Sequence, residues 1–406
     1  MRIPTQWVVL VLLSLSAPVT AQTVLSEADA LTRLSAESPR VRAIRAAAEI
    51  ARANVLAAGR WPNPRATFNR EAVAGVTENI VTVTQALPIT GRHGLEVNAA
   101  TALVAAAERR GDDAVRQARA ELKRAYADLV AAQAREQELM HARDQVQEVA
   151  GVLARREAAG DAAGYDRLRA EREAIELGLE ISSARVERAR ARGALGEFFD
   201  GLTALSDFTV AARVPRPVTQ LPAVEELLQR ARTVRGESAA LQQEISAARF
   251  AEEAATRRWI PEPELVAGTK SSNVAGGDVG SVISIHATIP LFDRGQPERA
   301  LARARMAQAE AQAAVFESAV VAQVFSRRAM VVERRDIAER YRESVAGAIE
   351  LERIARVSYD AGERGILELL DAYRSGAAVR QRQAVLDASV RQAEIDLEFV
   401  TGWEMP

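Results

Sequence analysis

Between residues 283 and 289 the apolar and polar positions alternate: Ile283, Ile285, Ala287 and Ile289 fall on one side, Ser284, His286 and Thr288 on the other. This is the period of a half-buried strand. A few residues later, in "IPLFDRGQ", the alternation stops and a charged, alanine-rich helical pattern begins. Seams of period seven follow. Val115, Leu122 and Leu129 keep the interval, which resumes after a slip of three at Leu139, Val146 and Leu153, while Val324, Val331, Ala338 and Val345 keep it later in the chain. Such spacing predicts coiled-coil rods. The first runs from Arg92 to Glu157 without a proline, a length of roughly 100 Å at the helical rise.

The pattern occurs twice. Pro88, Arg92, Gly160 and Leu168 stand 202 residues before Pro290, Arg294, Gly362 and Leu370, and the prolines of "RWPNP" and "RWIPEP" are 199 apart. Each copy predicts a helix (about 26–59 and 222–257) ended at its Trp and Pro punctuation, then two strands (about 65–71 and 79–87; about 264–270 and 281–289). A long rod comes next, with a shorter returning helix (about 162–199 and 365–400). The returning helix and the one before the strands together match the rod in length, so each rod is expected to be partnered by two helices stacked end to end. The organisation expected is therefore a signal peptide over 1–21, a first repeat over 22–199 with its helical hairpin at about 92–199, a mid-level connector over 200–221, and a second repeat over 222–406 with its hairpin at about 297–400. The fold class is mainly α with a small β part.

Composition narrows the function. Aromatic residues are 4% of the 406, which suits closely packed helices better than a thick globular interior. A net charge of −2 gives no general attraction to nucleic acid. Arg2, the apolar run from Trp7 to Leu15, and the small residues Val19 and Ala21 read as a secretory leader cleaved before Gln22. There is no cysteine, hence no disulfide, thiolate nucleophile or lipidated cysteine. His93, His141 and His286 lie far apart in sequence with no companion at metal-ligand spacing, and Asp112 with Asp113 reads as a solvated helix face. No catalytic constellation, cofactor site or metal site is expected, and the protein is not read as an enzyme.

Four strands of about nine residues have the length of tilted outer-membrane strands, but one chain cannot close a barrel. Completion by other copies is one reading. Two soluble hairpins capping a periplasmic coiled coil, in an adaptor or a chaperone-like protein, is the other.

The strand-to-helix junctions "LPITGRHG" and "IPLFDRGQ", the tip "YDAGERGILELLDAYR", the leader and the duplicated unit together resemble the TolC-type outer-membrane factors, or outer membrane efflux proteins, in particular the heavy-metal efflux branch typified by CzcC. That resemblance implies a homotrimer in the outer membrane of a Gram-negative bacterium, with twelve strands in one barrel and twelve helix columns in a periplasmic tunnel. It implies as partners a periplasmic adaptor (membrane fusion protein), an inner-membrane pump of the resistance-nodulation-division class, and outer-membrane lipid, with heavy-metal cations among the exported substrates. Unlike lipidated relatives, this chain is expected to carry no acyl anchor. The resemblance also assigns adaptor docking to the tips, at Ala159, Gly160, Asp161, Ala361, Gly362 and Glu363. Glu368 and Asp371, three apart on one helix face, would form an acidic constriction, and Tyr359 and Arg364 would hold it closed. Read from residues alone, the same acidic pair is an ordinary solvated face.

Overall fold

The structure, a computed structural model, describes residues 23–160, 164–199, 208–211 and 220–404. The leader, most of the connector and Asp161 lie outside the described residues. In chain order the elements are β1 (Thr23–Leu25), α1 (Glu27–Arg33), α2 (Pro39–Ala58), β2 (Arg65–Val73), β3 (Val76–Ala86), α3 (Arg92–Ala158), α4 (Gly164–Gly196), β4 (Phe208–Val210), α5 (Val224–Val234), α6 (Gly236–Thr256), β5 (Pro263–Ser272), β6 (Val279–Ala287), α7 (Gln296–Asp360) and α8 (Ile366–Thr401).

The two rods are α3, of 67 residues, and α7, of 65. Their heptad positions are what they bury: Leu122, Leu129, Leu139, Val146 and Leu153 on α3, and Val324, Val331 and Ala338 on α7. α3 packs against α2, α4, α6 and α8, and α7 against α5, α6 and α8. Each rod thus has stacked partners, and α6 and α8 are shared between the two rods.

The single helices expected over 26–59 and 222–257 are each broken. Ser38, in extended conformation, caps α2 through its hydroxyl and Pro39 occupies the first helical turn, so the chain restarts there. The second break falls at Arg235, where Gly236 lies against the backbone carbonyl of Arg109 so closely that a Cβ would overlap it. An element that the sequence pattern does not predict is the parallel pairing of β1 with β4. The Tyr126 hydroxyl donates to the Leu25 carbonyl at 2.9 Å, and Val210 N–H donates to Gln133 Oε1 at 2.9 Å, fixing both three-residue strands to α3. At the same level Arg391, almost fully buried on α8, donates to Glu398 at 2.9 Å and to Glu27 at 2.5 Å. Burial opposes its charge, but the two carboxylates more than offset this and raise its pKa.

The remaining strands form one antiparallel sheet in the order β2-β3-β5-β6, so the hairpins of the two halves join through β3 and β5. β2 and β3 are longer than expected because Val73 and Val76 still pair and the turn needs only Ala74 and Gly75, both at positive φ. Asn273, in the other turn, accepts from Thr77 N–H at 2.7 Å and donates to the Gly75 carbonyl at 3.1 Å, tying the two hairpin ends together.

Register sorts the faces. On one lie Ala66, Phe68, Val81, Val83, Leu265, Ala267, Ile283 and Ile285, with Thr269 and Ser281; on the other Arg65, Thr67, Asn69, Thr82, Thr84, Lys270, Ser284 and His286, with Ile80, Val266 and Val282 among them. The apolar face is open, with Phe68 64%, Ile283 77% and Ile285 73% exposed. Among the described residues both edges, β2 and β6, are unpaired. Among the described residues no helix is long and apolar enough to cross a membrane.

Sheet passes into rod at Gly91 and Gly295, each in left-handed conformation as the helix cap. At Gly295 a Cβ would also overlap the Ala255 carbonyl oxygen, whereas at Gly160, equally left-handed, it would meet open space. Gly160→Ala should therefore lose only the backbone strain of about 1 to 2 kcal/mol, and Gly295→Ala distinctly more. Unfolding midpoints of the purified variants measure this; equal losses would contradict the close junction.

Candidate gate and docking tips

The rods reverse at two glycine turns. After α7, Gly362 at φ 77° donates its N–H to the Tyr359 carbonyl at 3.0 Å, and Glu363 N–H reaches the Ser358 carbonyl at 2.9 Å. This is the Schellman arrangement, which satisfies the last carbonyls of a helix and needs a left-handed residue. After α3, Gly160 at φ 81° donates to the Glu157 carbonyl at 3.0 Å. Ala159, Gly160, Ala361, Gly362 and Glu363 are all exposed at these ends, so the described docking candidates lie on open surface.

Glu368 and Asp371 are exposed on one face of the first turns of α8, as their spacing predicts. Arg364 joins them. The three line a groove of about 270 Å³ between α7 and α8, together with Leu351, Ile354, Ala355 and Gly376. No ion pair within the chain engages any of the three among the described residues, so the groove presents one cation and two carboxylates to whatever lies beyond the protomer.

Tyr359 does not share this groove. It packs, half-buried, against the apolar cluster formed by Leu153 and Ala170 of the first hairpin with Ile366 and Leu370 of the second. Burial, and then the nearby carboxylate of Asp166, pushes its phenol pKa up against the opposing charge of Arg156. Tyr359 and Arg364 are thus on separate surfaces, one at the seam between hairpins and one in the groove of the second hairpin.

The tie that the chain itself makes is built on Arg356, one turn before Tyr359. From α7 it donates to the buried Tyr373 hydroxyl on α8 at 3.2 Å, to Glu148 on α3 at 3.1 Å and to Asp360 at 3.1 Å. The Tyr373 hydrogen bond, then Glu148 and Asp360, raise the guanidinium pKa against the opposing effect of burial. Higher up, Arg380 of α8 joins Glu352 of α7 at 2.7 Å and Glu138 of α3 at 2.6 Å. Glu352 is buried in the rod seam, and a Cβ on Gly376 would overlap its carboxylate. On α3 the buried seam residue Glu136 is held by Arg185 and Arg188, each at 3.1 Å. Heptad reading passes over these groups because it follows apolar positions; the interruption of each seam by a glutamate was the only trace in the sequence.

Residues 224–403 match the model of the outer membrane efflux protein family. The fold is that of solved outer-membrane channels. VceC of Vibrio cholerae superposes with a TM-score of 0.72 at 18% identity, covering 93% of this chain and 96% of that one. The open state of the MtrE outer-membrane channel of Neisseria gonorrhoeae gives 0.72 at 17%, covering 93% and 88%. CusC, solved for the conformational changes that accompany its folding and transmembrane channel formation, gives 0.72 at 18%, covering 92% and 91%. No curated protein matches the sequence.

If Arg356 ties the hairpins, a double-mutant cycle of Arg356→Ala with Tyr373→Phe should show a coupling of about 0.5 to 1.5 kcal/mol, since the hydroxyl is buried. The cycle with the exposed Glu148→Ala should give less than about 0.5 kcal/mol. Denaturant unfolding measures both. A Tyr373 coupling at or below that of Glu148 would remove Arg356 from this role.

Proposed function

We propose that the protein is the outer-membrane channel of a tripartite efflux system, which passes substrates from an inner-membrane pump through a periplasmic adaptor to the exterior. The observation that carries this reading is the four-stranded sheet: its apolar face is open, its opposite face is largely polar, its edges are unpaired, and it runs directly into helical rods roughly 100 Å long. A soluble adaptor or chaperone has no use for an exposed apolar sheet face with open edges. In the proposed assembly three copies supply twelve strands to one barrel, and the polar face lines the pore.

The family match and the channel folds support this placement. The protein performs no chemistry in this reading. Energy comes from the pump, of the resistance-nodulation-division class, and the adaptor docks at the tips around Ala159 to Asp161 and Ala361 to Glu363. Heavy-metal cations are the substrate class we assign, supported by the sequence likeness to the metal-efflux branch.

Gating follows from the groove. Threefold symmetry would gather Glu368 and Asp371 into a ring of six carboxylates, whose mutual repulsion is relieved by bound cations. Arg364, which makes no ion pair among the described residues, is available to engage a neighbouring protomer, and Tyr359 holds the hairpin seam. Opening is then a separation of the second hairpin from the first, as adaptor binding replaces these contacts.

In planar bilayers the wild type should be closed, cation-selective and blocked by divalent ions. Glu368→Ala with Asp371→Ala should lose that block, and Tyr359→Phe with Arg364→Ser should raise conductance without an adaptor. Unchanged selectivity and divalent block in the acidic double variant would return Glu368 and Asp371 to an ordinary solvated face.

A further inference from the structure

The helical layer has edges of its own. Among the described residues α2 packs on α3 and α4 chiefly on α3, so their column bounds one side of the layer, while α7, packed on α5, α6 and α8, bounds the other. α2 leads into β2 and α7 continues from β6, which puts these columns on the sides of the two unpaired strand edges. Each carries a second apolar face. On α2, Val41, Ile44, Ala48 and Val55 are covered by α3, whereas Ala43, Ala46, Ile50, Ala53 and Ala57 keep the same heptad spacing on another side and are exposed, Ile50 by 67%. On α7, Ala302 and Ala309 are buried within the chain, and Ala300, Ala304, Ala307, Ala311 and Ala314 are exposed on the opposite side. Further along, α4 exposes Leu168, Ile175, Leu179 and Val186 opposite its buried Leu177, Ile181 and Ala184. A helix with two apolar faces is made to lie between two neighbours, and here the chain supplies only one of them.

α7 runs away from the sheet and α2 runs toward it, so in copies standing side by side these two helices meet antiparallel. The chain itself shows the level of such a meeting, because α3 and α6 make the corresponding contact internally. Gly236, 20 residues before Thr256, lies against the carbonyl of Arg109, 17 residues after Arg92. The same offsets from Ala58 and Gln296 bring Ser38 level with Ala313. The nearest register that interleaves the two apolar faces sets Ala304 against Ala46, Ala307 against Ala43 and Ala300 against Ile50. Apolar positions alone fix this register, yet it also brings Glu310 beside Arg42 and Arg303 beside Glu49. Glu310 and Arg42 are both exposed, and neither makes an ion pair among the described residues.

We propose that the outer face of α7 is covered by α2 of a second copy in this register, as a closely spaced antiparallel coil, and that the pairing of Glu310 with Arg42 selects it. This rests on the channel reading, which stands the copies side by side in one orientation. The polarity is the reverse of that inside the chain. There the rod α3 supplies the cation, Arg110, and the rising helix α6 supplies the carboxylates, Glu237 at 3.0 Å and Glu244. Between copies the rod supplies the carboxylate and the rising helix the cation. α6 in the place of α2 would bring its glutamates to Glu310, a like-charge contact that disfavours the exchange. The two halves of the duplicated chain therefore accept different neighbours, and copies join head to tail in one phase.

Disulfide trapping tests it, since the chain has no cysteine of its own. Full-length protein carrying Ala304→Cys with Ala46→Cys is oxidised in isolated outer membranes and should run as linked dimers and trimers on denaturing gels. Ala304→Cys with Ala53→Cys, one heptad out of register, should link at least roughly fivefold less, because a disulfide tolerates little displacement. In the first background Glu310→Arg and Arg42→Glu should each slow linking about two- to fivefold, and the two together should restore it. Equal linking of the two cysteine pairs, or a charge swap that restores nothing, overturns the register and the selecting role of Glu310 with Arg42. If neither pair links while the protein is a trimer in mild detergent, something other than a second copy's α2 covers this face, and the proposal falls with the channel reading intact. If neither links and the protein is a monomer, both fall.

Discussion

Everything in this molecule follows from two unpaired strand edges. Among the described residues the backbone groups of β2 and β6 that face away from the sheet have no strand partner, and in the proposed bilayer placement water is not available to serve them. In the proposed channel these edges lie in hydrocarbon, where each such group costs several kcal/mol, so they would be closed by other copies of the same sheet. Closure of β6 on β2 around an axis turns a four-stranded sheet into a barrel, sends the polar face inward, and sets the number and spacing of the rods that continue from it. Beyond the sheet this constraint relaxes, because a helix satisfies its own backbone, and the chain changes to α structure once Gly91 and Gly295 have turned it.

The rods inherit a different problem. A rod of more than sixty residues offers its partners many alternative registers, and the valine and alanine positions of the α7 seam discriminate among them weakly. The buried glutamates Glu136 and Glu352 supply what the seam lacks. Each must meet its arginine partners, Arg185 with Arg188 or Arg380, and a slip by one heptad would leave a carboxylate buried without a cation. Gly376 leaves the space that Glu352 fills. Arg356 does similar work near the tip, where α7, α8 and α3 meet. The same contacts that fix the register also resist separation of the hairpins, so in the proposed channel the stability of the wall and the resistance of the gate would be two consequences of one set of ion pairs.

Much of this was legible in the sequence because its signals are periodic or local. Alternation at Ile283 to Ile289 marked a strand, the Leu122 and Leu129 interval marked the rod, and Gly160 and Gly362 marked reversals that both prove to be left-handed. The i, i+3 spacing of Glu368 and Asp371 placed them on one face, where they share a groove. The break at Ser38 and Pro39 carried a local signature, a capping side chain before a proline, which the surrounding helical pattern masks. Arg235 carried none, since that break is set by the approach of Gly236 to α3. The β1 and β4 pairing joins three-residue strands from distant parts of the chain, too short for any period. Arg356 could not be singled out among so many arginines, because its distinction is to meet Tyr373 and Glu148 from other helices.

The closure of the edges is open to direct measurement by amide hydrogen exchange on protein extracted from outer membranes in mild detergent. If copies complete one another's sheets, the amides of β2 and β6 that face away from β3 and β5 will be as slow to exchange as those of the central strands. Rapid exchange along both edges, with β3 and β5 protected, would show a sheet that ends where the single chain ends and would contradict the account.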